Sequence, residues 1–182
     1  MNLERPPSSL AGVRHGAVAR HADERGSFRE LWRAGDGPRF VQANLSTSAA
    51  GVLRGLHLHR RQVDYWVVAA GRAFLALVDV RSLLDGSASK PAVETRELAA
   101  DDWVLIPEGI AHGFLALEPL DLLYLVTSFY DGSDEFGFAW DDPAAAVPWP
   151  APTGAAGPIL SARDATNPPL ADLVGRLRSE AR

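Results

Sequence analysis

An all-β sandwich or barrel is the fold the sequence predicts, on three observations. Between Phe40 and Tyr130 the chain is a succession of short apolar, β-branched or aromatic runs of strand length. Glycine and proline clusters with turn chemistry separate those runs. No stretch of helical periodicity intervenes, so the strands pair with one another without crossover helices.

Taken in order, the runs are "FVQANLS", "GVLRGLHLH", "DYWVVAAG", "AFLALVDVR", "DWVLIP", "HGFLAL" and "LLYLVTSFY". The breaks between them fall at Ala70-Gly71-Arg72, "LLDGSASKP", "PEG" and Glu118-Pro119. After Trp140 the composition shifts to "DDPAAAVPWPAPTGAAGP", where proline cannot donate to a central ladder; an extended strap over the barrel is expected. The last segment, "PPLADLVGRLRSEAR", sets Leu170, Leu173, Val174 and Leu177 at helical spacing and predicts a short C-terminal helix, weakened by Gly175. At 182 residues, the whole of 1–182 reads as a single domain carrying this strap and helix.

Composition narrows the chemistry. Eighteen basic and twenty-three acidic side chains are mixed along the chain, which gives no basic face for nucleic acid. The absence of cysteine excludes disulfides, zinc thiolate sites and thiol catalysis, so a metal would need histidine, carboxylate or water. "MNLERPPSSLAGV" lacks an apolar core of signal-peptide length, and no apolar run approaches the roughly 20 residues needed to cross a bilayer. A cytoplasmic protein without a membrane partner is expected.

The segment "RGLHLHRRQVDYW" holds the first chemistry. In a strand His57 and His59 share one face while Leu56 and Leu58 take the other. The spacing of Gly51, His57, His59, Asp64 and Gly71 resembles the first motif of the cupin superfamily, with aspartate in place of its glutamate. Pro107, Gly109 and His112 in "DDWVLIPEGIAHGFLA" resemble the second, with Asp101 and Ala116 at its leading glycine and final asparagine. This resemblance implies a double-stranded β-helix, or jelly roll, whose pocket collects His57, His59, Asp64 and His112. Three imidazoles and a carboxylate suit one divalent transition-metal ion. His15 and His21 sit in polar segments and read as hydrogen-bonded structural or surface groups.

A longer set of segments, "DERGSFRE", "FVQANLSTS", "GVLRGLH", "ALVDVR", "IPEGIAHGFLAL", "LLYLVTSFY", "WDDP" and "LSARDA", resembles in order and spacing the dTDP-4-dehydrorhamnose 3,5-epimerase family. The resemblance implies epimerisation of a dTDP-4-keto-6-deoxyhexose at one or both carbons flanking the ketone, without a cofactor. It implies that His57 is the base, Asp164 its hydrogen-bonded partner and Tyr124 the acid. Read alone, Tyr124 would be a core tyrosine and Asp164 a loop aspartate. Tyr130 would share the face of Tyr124 if the strand is unbroken. Arg25 and Arg54 are suited to the diphosphate, and Phe28, Glu30, Gln42, Asn44, His112 and Glu135 match positions near nucleotide or sugar. A homodimer with strands paired between subunits is also implied.

Departures from the family pattern cluster at the reacting centre. The family's enolate-stabilising lysine falls at or next to Asp64, and the sole lysine here is Lys90 in a loop. His59 replaces a glutamine, and Leu75 an aspartate. Two alternatives therefore stand beside the epimerase. One is a metal-dependent cupin isomerase or oxygenase using His57, His59, Asp64 and His112, with a divalent ion in place of the lysine. The other is a non-catalytic sugar-nucleotide binder that kept only the outer pocket.

Overall fold

In the computed structural model, which describes residues 3–35, 37–151 and 157–180, the apolar runs become two facing sheets. The strands are β1 (Leu3–Glu4), β2 (Arg14–Ala17), β3 (Arg20–Asp23), β4 (Gly26–Arg29), β5 (Gln42–Ser48), β6 (Leu53–Leu58), β7 (Asp64–Ala70), β8 (Arg72–Asp79), β9 (Ala92–Ala99), β10 (Asp102–Ile106), β11 (Ile110–Ala116), β12 (Leu120–Val126) and β13 (Phe136–Gly137). The first sheet runs β1-β2-β10-β7-β12-β5 and the second β13-β6-β11-β8-β9, while β3 and β4 form a separate hairpin. The ladders are antiparallel and join strands distant in sequence, which is the jelly roll the cupin-like spacing implies.

Alternation assigns each side chain to a layer. Trp66, Val68, Leu75, Leu77, Val104, Ile106, Phe114, Leu120 and Leu122 fill the space between the sheets, with Tyr124 at its margin. On the far side of the second sheet, Leu56, Leu58, Ala76, Val78 and Ala111 are covered by Phe138, Ala145 and helix α2 (Leu170–Glu180). That helix buries Leu170, Leu173, Val174 and Leu177, each stabilising the fold by about 1.5–3 kcal/mol. On the far side of the first sheet, Tyr65, Val67, Trp103, Leu123 and Leu125 pack against Leu31, Trp32 and Phe40.

Several elements differ from the sequence reading. Strands β1 to β4 precede Phe40, and β9 occupies "AVETRELA", whose polar alternation suits a partly exposed edge strand. One turn of helix, α1 (Arg81–Asp85), runs into the loop "LLDGSAS". The run "LLYLVTSFY" stops being a strand at Val126, because the Thr127 side chain takes the Val63 amide (2.9 Å) and the chain turns away. No helix among the described residues is long and apolar enough to cross a membrane.

Where β6 meets β11 the two backbones lie unusually close. A Cβ on Gly113 would sit 2.7 Å from the Arg54 carbonyl oxygen, and one on Gly55, whose φ is +133°, 2.6 Å from Gly113 Cα. Only glycine fits this crossing, where the ladder register shifts between His112 and Phe114.

Candidate active site

His57 sits on β6 directly across from His112 of β11, so the two imidazoles share the face turned toward the first sheet. The His112 ring stands edge-on to Trp66, centroids 5.1 Å apart, which ties this face to the inter-sheet core. Leu56 and Leu58 point the other way, as period-two alternation requires.

Asp164 reaches His57 from the C-terminal strap. The strap is held to β6 by the Val52–Ile159 bridge, then folds into a 3-10 turn, Asp164–Thr166, that buries the carboxylate. His57 Nε2 lies 2.6 Å from Asp164 Oδ1. Ser161 Oγ donates to Oδ2 (3.0 Å) and accepts from the Asp164 amide (3.0 Å), fixing the carboxylate. Burial alone would raise the Asp164 pKa, but hydrogen bonding and charge from His57, then Ser161 and Arg163, hold it below the ordinary carboxylate range. An ionised partner accepts the Nε2 proton, so Nδ1 is left with the lone pair that a base needs.

Tyr124 lies on β12 in register with Trp66 on one side and Asn44 on the other. It is half-buried, and burial, followed by the negative charge of Asp64, raises its phenol pKa above the ordinary value. Arg54 and Glu135 also act on this phenol, and His57, His59 and Asp64 act on His112, whose pKa burial lowers. These groups therefore share one electrostatic neighbourhood between the sheets. Gln42 donates to Asn44 Oδ1 (2.9 Å) on the same face of β5. Arg54 donates to Ser48 Oγ (3.1 Å) at the rim, and Glu135 pairs with Arg163.

Three expected site residues lie elsewhere, and a fourth, Tyr130, leaves the strand but stays beside the site, where its amide donates to Gln42 Oε1 (3.1 Å). Arg25 and Phe28 are on the exposed β3–β4 hairpin, where Arg25 pairs with Asp23 (2.5 Å) and Phe28 is 69% exposed. Glu30 lines a hollow on the outer face of the first sheet with Trp32, Tyr65 and Trp103. Tyr130 does not continue the face of Tyr124, because the strand ends at Val126; it lies 70% exposed in the following loop. There it borders a hollow of about 440 Å³ together with His59, Gln62 and Glu135.

The expected four-ligand metal set is also corrected. Ligand atoms of His59, Asp64 and His112 all lie within 4.8 Å of one another and the three residues are buried, but His57 is not among them. Its Nε2 is engaged by Asp164. Each remaining imidazole donates its Nδ1 proton to a backbone carbonyl, His59 to Asp134 (2.6 Å) and His112 to Ile110 (3.0 Å), since a carbonyl can only accept. Asp64 accepts from Gln62 Nε2 (2.8 Å) and Trp66 Nε1 (3.1 Å).

Sequence reasoning missed Ser161, although a hydroxyl three residues before an aspartate is a recognisable local hydrogen-bonding spacing. It also missed Asp134, whose backbone oxygen orients His59 and whose carboxylate accepts from the Arg60 and Arg61 amides. No sequence signal marks a backbone acceptor 75 residues away.

Comparison with known proteins bears on this geometry. The family profile described as dTDP-4-dehydrorhamnose 3,5-epimerase matches residues 7–172. A dTDP-4-dehydrorhamnose 3,5-epimerase of Mycobacterium tuberculosis is 38% identical over 167 residues, covering 84% of this chain and 80% of that one. The structure of a dTDP-6-deoxy-D-glucose-3,5-epimerase from Legionella pneumophila in complex with dTDP-4-keto-L-rhamnose superposes with a TM-score of 0.81 at 30% identity, covering 97% of this chain and 96% of that one. A 3'-monoepimerase from Streptomyces bikiniensis in complex with dTDP-quinovose gives 0.79 at 29% identity, covering 94% and 89%.

Proposed function

We infer that this chain, which belongs to the dTDP-4-dehydrorhamnose 3,5-epimerase family, is an isomerase that inverts one or both carbons flanking the ketone of a dTDP-linked 4-keto-6-deoxyhexose. Membership favours this activity over a metal-dependent oxygenase or a non-catalytic binder. The observation that carries the mechanism is the half-buried His57 imidazole held by the buried Asp164 carboxylate, with the Tyr124 phenol in the same neighbourhood.

Protons next to a ketone are weakly acidic, so inversion needs a base on one face and an acid on the other. His57 Nδ1 takes the proton, and Asp164 fixes the tautomer and stabilises the imidazolium that forms. Tyr124 returns a proton from the opposite side. Its raised pKa keeps the phenol protonated until the enolate calls for it. Arg54 at the rim offers a bidentate cation to diphosphate, and Gln42, Asn44 and Glu135 line the way to the nucleotide. This enzyme works in the cytoplasm, without membrane or nucleic-acid partners, in keeping with its mixed surface charge.

The working unit is a homodimer. Strand β5 is an edge of the first sheet with Leu45 64% exposed, a ready pairing template. Arg25, Phe28 and Glu30 stand away from His57 in their own protomer, so their substrate contacts are made in the partner's pocket. Incubation with a dTDP-4-keto-6-deoxyhexose in heavy water tests the reaction. Deuterium must enter beside the ketone together with inverted product, and a chain that binds the sugar nucleotide without exchange is no epimerase.

A further inference from the structure

We propose that His59, Asp64 and His112 bind one divalent transition-metal ion, and that this ion polarises the substrate ketone in place of a cationic side chain. The second half rests on the epimerase reading; the site itself does not.

The two imidazoles are presented as ligands. With both Nδ1 protons committed to the Asp134 and Ile110 carbonyls, each Nε2 is the nitrogen that carries the lone pair in the neutral ring, the form a metal ligand takes. Such backbone anchoring sets tautomer and ring direction in metal-bound histidine. Asp64 is oriented in the same way, with Gln62 and Trp66 each donating to one oxygen. The distance between His112 Nε2 and Asp64 Oδ2 is 3.7 Å, too long for a direct hydrogen bond. Metal–ligand distances of about 2.0–2.2 Å put neighbouring tetrahedral ligand atoms roughly 3.4 Å apart, close to that gap.

Charge points the same way. Asp64 is 3% exposed, and its hydrogen-bond and ion-pair partners are Gln62, Trp66 and His112, with no lysine or arginine among them. A buried carboxylate is costly unless a cation or metal compensates it. Lys90, the sole lysine of the chain, lies between the Arg81–Asp85 helix and β9. Two imidazoles and one carboxylate are a donor set for zinc, iron, cobalt or manganese that leaves further positions open. Entry is available because His59 borders the hollow shared with Gln62, Tyr130 and Glu135.

In the reaction the proton leaves the carbon beside the ketone for His57 Nδ1. The electron pair of that C–H bond becomes the enolate double bond, and the carbonyl π pair moves to the ketone oxygen. An ion held by His59, Asp64 and His112 would offset the resulting negative charge as a Lewis acid until reprotonation reverses the shift, and nothing is oxidised or reduced.

The test uses untagged full-length protein purified without a nickel column, stripped with EDTA and titrated with Zn²⁺, Co²⁺ or Mn²⁺. Elemental analysis is expected to find about one ion per chain after desalting, with a rise in melting temperature. Co²⁺ should give a visible d–d spectrum that His59→Gln and Asp64→Asn weaken. Affinity in those variants should fall by more than about 100-fold, beyond the loss typical of outer-shell changes. Circular dichroism verifies that the variants fold, and Asp64→Asn, being isosteric, keeps the comparison meaningful if His59→Gln does not. Failure of the wild-type chain to retain any of the three ions overturns the site, whatever its activity. A stripped chain that exchanges deuterium as fast as the loaded one overturns the Lewis-acid role. A loaded chain that holds its ion but exchanges nothing contradicts the epimerase reading and the ketone role together, leaving the ion-binding result intact.

Discussion

His57 Nε2 and Asp164 Oδ1 stand 2.6 Å apart although 107 residues separate them in sequence. Ser161 anchors the carboxylate from its own turn, so the dyad is preorganised before substrate arrives. His57→Ala removes the proposed base and is expected to lower the epimerisation rate by about 10²–10⁴-fold, the usual worth of a positioned proton-transfer group. Asp164→Asn keeps the shape but cannot hold the tautomer or stabilise imidazolium; a comparable fall in kcat with a smaller change in KM is expected. Steady-state kinetics on both variants, with circular dichroism for folding, checks this.

The lowered pKa of Asp164 makes the dyad a pH-dependent stabiliser as well. Because the folded carboxyl titrates below its unfolded value of about 3.9, its contribution is present above that pH and is lost as pH falls through the folded value. Urea midpoints of wild type and Asp164→Asn should therefore differ at pH 5 and 6 and converge below about pH 4. A gap that fails to close below about pH 4 would contradict an ionised Asp164.

Tyr124→Phe separates the two faces of the reaction. The base remains, so deuterium should still enter beside the ketone, while inverted product falls by about 10²-fold or more. In the wild type, burial and then Asp64 keep the phenol protonated above its ordinary pKa of about 10, so no alkaline loss of kcat from this group is expected below that pH. Parallel measurement of isotope incorporation and product configuration by NMR distinguishes this from a general loss of activity.

Local periodicity made half of this site readable in advance. His57 facing inward while Leu56 and Leu58 face α2 follows from alternation within a single strand. The C-terminal helix was equally legible from Leu170, Leu173, Val174 and Leu177. Asp164 was different: nothing near it indicates His57, and only resemblance to a family brought the two together. Strand β9 escaped notice because an edge strand needs little apolar surface, and Tyr130 was misplaced because one Thr127 side-chain contact ends its strand. Placement of Arg25 and Phe28 depends on a hairpin that packs on little of its own protomer, so strand periodicity says nothing of where it reaches.

The glycine crossing of β6 and β11 gives a test with a built-in contrast. Gly113→Ala drives a methyl against the Arg54 carbonyl and pushes apart the strands that carry His57 and His112. Overpacking of this kind costs about 1–3 kcal/mol, and activity should fall with stability. Gly175→Ala, in α2 with open space around it, should instead stabilise by about 0.5–1 kcal/mol and leave kinetics unchanged. Thermal melts and turnover of the two variants, measured together, show opposite signs if the crossing is as tight as described.

The proposed exchange of hairpins between protomers predicts complementation. Arg25→Ala should raise KM by about 10- to 100-fold, the worth of a charge-assisted hydrogen bond to phosphate. His57→Ala should be inactive for a separate reason. If the hairpin serves its partner, a mixed dimer of the two variants has one site with both lesions and one with neither, because intact His57 from one chain meets intact Arg25 from the other. Random reassortment then restores about a quarter of the wild-type sites. If the hairpin folds back onto its own pocket, no site in the mixture is whole and activity stays at the average of the parents. Leu45→Glu on the exposed edge strand should abolish the effect by separating the protomers, as read by sedimentation.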